Sequence, residues 1–232
     1  KVDLVVSFYS AEFNNNPNLV IEVGIKLLKQ SQADKSIIEE ASAYSMLGHG
    51  YRLMGSNIKG LEYHHKAIAL AEKSNNYSLM AIAEHQMAHI YKDRGEYEKA
   101  IQLYRSASSL AEKGKNESIR RWPFANLGTV YLLTNKLDSA LMVSQKGYEI
   151  ITSTKDNRLL FLVLLNLAGI HNKMGNTALA ITYLNMAKKE VEGGPYIKYL
   201  NLLYISLADY YQSLHQTDSC ELYAKKAIAV VS

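Results

Sequence analysis

The sequence predicts an all-α fold, a solenoid of stacked helical hairpins, and three observations predict it. Aromatic residues recur every forty positions at Tyr51, Tyr91, Tyr131 and Tyr211, with His171 in the same series. Small residues recur beside them at the same period. Only three prolines, Pro17, Pro123 and Pro195, interrupt a chain of 232 residues, so the backbone ladder of long helices is rarely broken.

The small residues define the hairpin. Three positions before each aromatic lie Gly48, Ala88, Gly128, Ala168 and Ala208; nine after lie Gly60, Ala100, Ala140, Ala180 and Cys220. Seven further on come Ala67, Ala107, Gly147, Ala187 and Ala227. Helix axes approach to the short end of the ~8–10 Å range only where neither helix presents bulk at the crossing. One small residue in the first helix and two in the second let each hairpin close and the next stack upon it, while the aromatic fills the wider space beside the crossing. Gly55, Gly95, Gly175 and Asn135 share one turn position, and both residue types tolerate the left-handed conformation that ends a helix. His215 departs from that pattern.

In chain order, residues 1–33 read as a degenerate capping hairpin. Phe8 and Ala11 keep the register there, and Val20 and Leu27 replace small residues. Residues 34–232 carry five forty-residue repeats, so a single domain covers 1–232, with twelve helices arranged as one hairpin per repeat. Turn-rich clusters at Ser74-Asn75-Asn76, Lys113-Gly114-Lys115-Asn116 and Gly193-Gly194-Pro195 separate the repeats. The last helix ends Ala227-Ile228-Ala229-Val230-Val231-Ser232, too apolar for a solvated cap. That composition predicts a chain continuing past Ser232, or an end covered by another subunit in a homodimer.

The run Ala88-His89-Ile90-Tyr91, Gly95-Glu96-Tyr97-Glu98-Lys99-Ala100-Ile101, Tyr104 and Ala107 resembles the tetratricopeptide-repeat (TPR) consensus. Leu127-Gly128, Tyr131, Ala140 and Gly147 match it nearly as well. The common unit is about 34 residues, so this longer one is similar to the TPR variants of kinesin light chains and bacterial peptide-sensing regulators. The resemblance implies a right-handed superhelix, with longer second helices or longer turns to hold the extra residues. It also implies a protein- or peptide-binding scaffold whose concave face is lined by the first helix of each hairpin.

On that register the groove residues are Ser45, His49 and Arg52, then His85, His89 and Lys92, then Ala125, Thr129 and Leu132. Leu165, Gly169 and Asn172 follow, and the last repeat gives Ile205, Asp209 and Gln212. Such a groove is basic and histidine-rich at one end and neutral or apolar at the other, which suits a peptide whose acidic end docks near Arg52 and Lys92. The Lys/Asn carboxylate clamp of chaperone-tail binders is missing, since Ser45/His49 and His85/His89 stand in its place. The histidines predict peptide affinity that rises as pH falls towards 6.

Composition excludes much else. Hydrophobic residues make up 48% and charged residues 21%, as in folded globular chains. The net charge of +4 is spread along the chain, and its densest stretch, Lys113, Lys115, Arg120 and Arg121, is diluted by Glu112 and Glu117. It reads as a solvated loop rather than a nucleic-acid site. No apolar run reaches the ~18 residues of a membrane span, the longest being Leu159 to Leu165. The chain opens on Lys1 with no visible signal peptide, and cytoplasm and periplasm both remain open. With one cysteine there is no intrachain disulfide.

No catalytic signature emerges. Gly48-His49-Gly50 starts like a dinucleotide fingerprint but lacks the third glycine and a preceding strand. Cys220 sits at a helix crossing as a compact apolar filler. His85 and His89 have metal-ligand spacing, yet Gln86 replaces the glutamate of the zinc-protease motif and only His49 offers itself as a third ligand. His64 and His65 are adjacent and point apart. The reading is therefore a non-enzymatic scaffold without cofactor or metal, of the kind found as the sensor segment of bacterial regulators. Self-association through the last helix, or RNA binding by the helical repeats, are the alternatives.

Overall fold

The computed structural model describes residues 16–153, 159–192 and 199–230. Its elements are helices throughout: α1 (Pro17–Ala33), α2 (Ile37–Leu53), α3 (Asn57–Lys73), α4 (Tyr77–Asp93), α5 (Tyr97–Lys113) and α6 (Glu117–Arg120). There follow α7 (Trp122–Leu133), α8 (Leu137–Thr152), α9 (Leu160–Lys173), α10 (Thr177–Glu192), α11 (Leu200–Ser213) and α12 (Thr217–Ala229). The chain divides into two compact units, Lys1–Pro123 and Phe124–Ser232.

The forty-residue period is built from equal parts. Helices α2, α3, α4 and α5 each have 17 residues, separated by three-residue turns. The extra length thus lies in both helices of the hairpin, not in its turns or its second helix alone. The turns share one geometry. Their central residue has φ between 49° and 78°, at Lys35, Gly55, Asn75, Gly95, Lys115, Asn135, Gly175 and His215. The next amide donates back across the helix end, as from Ser56 to the Tyr51 carbonyl at 2.8 Å and from Asn176 to that of His171 at 2.8 Å. This is the Schellman arrangement, which satisfies the last carbonyls of the helix. His215 adopts it despite its side chain, at φ 56°. In the turn at 113–116 the left-handed residue is Lys115. Gly114 serves a different need: an added Cβ would lie 2.9 Å from Ser78 Oγ.

Of the fifteen small positions, fourteen are buried and Cys220 is half-buried. The space is tight where glycine occurs. A Cβ on Gly48 would come within 2.7 Å of the His64 ring, and one on Gly60 within 3.1 Å of Ile90 Cδ1. The recurring aromatics close their own hairpins. Tyr51 stacks on Tyr63 at 5.3 Å, His171 on Tyr183 at 5.6 Å and Tyr211 on Tyr223 at 5.5 Å, each pair joining first helix to second. Tyr51 and Tyr91 also take an ammonium, from Lys59 at 5.2 Å and Lys99 at 5.1 Å.

Helix count and hairpin count part company at the third repeat. Pro123 has no N–H and crowds the carbonyl four residues back, so its first helix is broken at Arg121 into α6 and α7. Pro17 instead occupies the first turn of α1, where a missing N–H costs nothing. In α1, Val20 is buried and Leu27 half-buried, and Gly24 meets Leu47. Phe8, Ala11, Val231, Ser232 and the Gly193-Gly194-Pro195 cluster lie outside the described residues.

In the first unit Leu79, Ile82, Leu110 and Ile119 form a core cluster with Trp122 packed on it. In the second, Phe161, Leu164, Leu167, Leu184, Leu203 and Tyr210 do the same between α9, α10 and α11. Among the described residues no helix is long and apolar enough to cross a membrane.

Candidate functional site

Residues marked by the sequence register fall into two clusters, one in each unit. In the first unit α2 and α4 meet through His49, whose Nδ1–H donates to Gln86 Oε1 at 3.1 Å. Further along α4, the Nε2 atoms of His85 and His89 are 3.1 Å apart, and His89 Nδ1 is 3.1 Å from the Tyr104 hydroxyl. The rings of His85 and His89 meet edge to face at 4.7 Å, and Trp122 lies 5.6 Å from His85. Arg52 and Lys92 complete the cluster, sharing the carboxylate of Asp93 at 3.7 and 3.3 Å.

This cluster is closed rather than open. Ser45, His49 and His85 are 0%, 3% and 4% exposed, facing neighbouring helices instead of a groove. Arg52 and Lys92 already face Asp93. Burial, reinforced by the Arg52 charge, pushes the His49 pKa down to about 3. Burial with Arg52 and Lys92 nearby does the same for His85, also to about 3. His64 and His89 are held well below their ordinary value by burial first and by neighbouring positive groups second. The geometry agrees. Two imidazole nitrogens 3.1 Å apart need one lone pair between them, so His85 and His89 cannot both be charged without leaving donor facing donor. Burial therefore opposes charging near pH 6 most strongly at His49, His64 and His85, which are buried, while His89 is half-buried. No group of three or more His, Cys, Asp or Glu placed to hold a metal occurs among the described residues.

The second unit holds an open cavity of about 220 Å³ between α7, α9 and α11. Thr129, Leu132, Leu165, Gly169, Asn172, Ile205 and Asp209, all read from the register, line it together with Asn166 and Ser206. Its polar wall is ordered by hydrogen bonds between the helices. Thr129 Oγ1 donates to Asn166 Oδ1 at 3.0 Å, and Asn166 Nδ2 donates to the Ala125 carbonyl at 2.7 Å. Ser213 Oγ donates to Asn172 Oδ1 at 2.7 Å, and Lys173 Nζ points to the Leu132 carbonyl at 3.4 Å. Asp209 sits at the lip. Partial desolvation raises its pKa while Lys173 lowers it. Ala125 is buried against the core, and Gln212 lines a neighbouring cavity with Ala208, Cys220, Ala227 and Ile228.

Asp93 in the first cluster, and Asn166, Ser206 and Lys173 in the second, carry no signal at their single positions, and Gln86 and Tyr104 stand out in the sequence only for other roles. One signal was available: Gln86 lies 37 residues after His49, and Asn166 lies 37 after Thr129. The basic stretch at 113–121 is not a free patch either, for Arg121 is buried and Arg120 pairs with Glu117 at 3.0 Å.

A tetratricopeptide-repeat family profile matches residues 39–113 and again residues 79–153. Among curated proteins none matches the sequence. Among solved structures, the chain is similar to BtubC (BKLC) from P. vanneervenii at 16% identity and TM-score 0.70, over 94% of this chain and 89% of that one. It is similar to the apo form of RapI at 17% identity and TM-score 0.74, over 99% and 81%. A Rap protein complexed with Competence and Sporulation Factor aligns at 14% identity and TM-score 0.73, over 94% of this chain and 59% of that one. At such identities the likeness concerns the fold, and it agrees with the period, the small-residue seams and the turn geometry above. The chain belongs to the tetratricopeptide-repeat family.

Proposed function

We propose that the chain is a protein- or peptide-binding scaffold, and that in its second unit the contact surface runs along α7, α9 and α11. The observation that carries this reading is the open cavity lined by Thr129, Leu132, Leu165, Gly169, Asn172 and Asp209. It combines apolar walls with a few convergent polar groups, the usual make-up of a recognition site. A Rap structure in complex with Competence and Sporulation Factor supports peptide as the ligand class. Tetratricopeptide repeats are a scaffold family rather than an enzymatic one, which supports a binding role over catalysis.

Panning the chain against randomised displayed peptides, followed by calorimetry on the selected sequences, tests the proposal. Expected are binders that lose affinity when Leu165→Arg places a charge in the cavity wall. Selection of no peptide at all, or binders indifferent to that substitution, would refute it. Within this reading the segment acts as a sensor in a regulatory protein, peptide occupancy changing what the chain binds next. An unchanged affinity for a second partner at saturating peptide would count against that step.

A second reading is favoured by the outer face of the last hairpin. Ile228 is 69% and Leu222 51% exposed there. One hairpin earlier the matching positions are the exposed polar Lys188 and Thr182, and Ala180 and Leu184 are buried where their counterparts Cys220 and Ala224 are half-buried. Self-association through α12 would cover that face. A mass measured by light scattering that stays monomeric up to high concentration would exclude it.

A further inference from the structure

Two hydrogen bonds that join first helices fall at one repeat position, His89 between them turns to His85 and Tyr104 instead, and the cavity lies one repeat beyond the second bond. His49 reaches Gln86 in the first unit, and Thr129 reaches Asn166 in the second. The two pairs are the same repeat position eighty residues apart. Advancing Thr129–Asn166 by one repeat gives residues 169 and 206, which are Gly169 and Ser206. Glycine carries no side chain to span the gap; Leu132 occupies the place of its missing Cβ, and the cavity opens beside them.

What fills the walls of that space is aliphatic. Leu132, Leu162, Leu165, Leu184 and Ile205 surround it, and Leu132 leans in so far that a Cβ on Gly169 would lie 2.8 Å from its Cδ2. Its volume of about 220 Å³ is below the ~300–1,000 Å³ of sites that enclose a whole small ligand, a size suited to one side chain. At the lip, exposed Asp209 carries the only carboxylate in the lining. Lys173 on α9 is its nearest basic influence, and the Lys173 ammonium is directed to the Leu132 carbonyl. A ligand cation would complement the carboxylate; a ligand anion would meet like charge on a partly desolvated group.

We infer that the cavity at Gly169 is a subsite for a branched aliphatic side chain of a peptide, with Asp209 receiving a lysine or arginine beside it. The inference rests on the scaffold reading above and names the ligand that reading leaves open. Gly169 is the specificity element, because a side chain there collides with Leu132 and displaces that wall of the subsite. Asp209 is the charge selector. The acidic-ended peptide expected near Arg52 and Lys92 has no counterpart here, since the second unit offers a carboxylate where the first offers cations already facing Asp93.

The test uses the whole chain and a library of randomised, fluorescently labelled heptapeptides. Selected peptides should be enriched in leucine, isoleucine or valine next to lysine or arginine. Gly169→Val should weaken them on the order of tenfold or more, the range in which a blocked apolar pocket discriminates. Asp209→Lys should reverse the preference of the neighbouring residue from basic to acidic. Asp209 is exposed, so this second variant retains the fold even if Gly169→Val strains Leu132, and unaltered melting temperature checks that. Peptides selected without aliphatic–basic enrichment, or bound equally well by both variants, overturn the subsite while leaving the scaffold standing. Failure to select any peptide overturns both.

Discussion

Acidification from pH 7 to pH 5 should destabilise the first unit steeply, and the cause is a set of histidines that the fold keeps dry. His49 and His85 have pKa values near 3 in the folded chain against about 6.5 when unfolded. Their folded values are depressed, so the unfolded chain takes up protons first and stability is complete only above about pH 6.5. Below it each contributes a slope of about 1.4 kcal/mol per pH unit. Over the ~1.5 units down to pH 5 each therefore costs about 2 kcal/mol, about 4 kcal/mol for the two. His64 and His89 act in the same direction. Set against a typical domain stability of ~5–15 kcal/mol, this is a large fraction.

The groups facing these rings are Arg52 and Lys92, Gln86, Tyr104 and the histidines themselves, with Asp93 on the cations. The carboxylate most affected by burial nearby, Glu84, has a raised pKa and so acts in the opposite sense. Urea melts at pH 7.5, 6.5, 5.8 and 5.0, with histidine Cε1 proton shifts followed in parallel, supply the assay. The midpoint should hold between 7.5 and 6.5 and then fall. A flat profile to pH 5, or imidazole shifts that titrate near 6 in the folded chain, would refute the reasoning, because both require these rings to be hydrated.

Other substitutions probe other parts of the same physics. His64→Leu should stabilise the chain by about 1 kcal/mol and shallow the acid limb, because neither buried ring nitrogen has a partner and Leu184 fills the same repeat position; a lower melting temperature would show that the ring is needed against Gly48. His215→Gly, which relieves a side chain at φ 56°, should raise stability by up to ~1 kcal/mol, read from the shift in thermal midpoint. Gly128→Leu should cost at least ~1–3 kcal/mol by forcing a side chain against Ser144 Oγ and Asn166 Nδ2. Ala107→Leu should cost a similar amount, since Ala107 is fully buried. Thermal melts unchanged in both would mean that these sites are not crossings.

Much of the fold was legible because its demand is steric and local. A helix crossing without room for a side chain leaves glycine or alanine at a fixed interval, and the period of forty reports it directly. The turns were only half legible. Glycine announces a left-handed residue at Gly55, but lysine and histidine at Lys35, Lys115 and His215 do not, because there the rest of the turn imposes a conformation their own propensity opposes. The break in the third repeat was available in Pro123, four residues after Ile119, yet proline near a helix start is equally compatible with an unbroken first turn.

The site was legible in position but not in filling. A register assigns His49, Thr129, Gly169 and Asp209 to one line along the first helices, and says nothing of whether that line meets water or a neighbour. The answer depends on two residues 37 positions apart taken together. Imidazole facing Gln86 closes the gap, threonine facing Asn166 closes it with a shorter reach, and glycine facing Ser206 makes no such bond and admits Leu132 beside a cavity. Single positions run the groove along every first helix and dock an acidic peptide end near Arg52 and Lys92, beside histidines that complete the packing between helices. In a repeat whose interior is defined by uniform spacing, function is better sought where the spacing holds and the filling fails. That criterion selects Gly169, the one such position among 49, 129 and 169 where the side chain is absent.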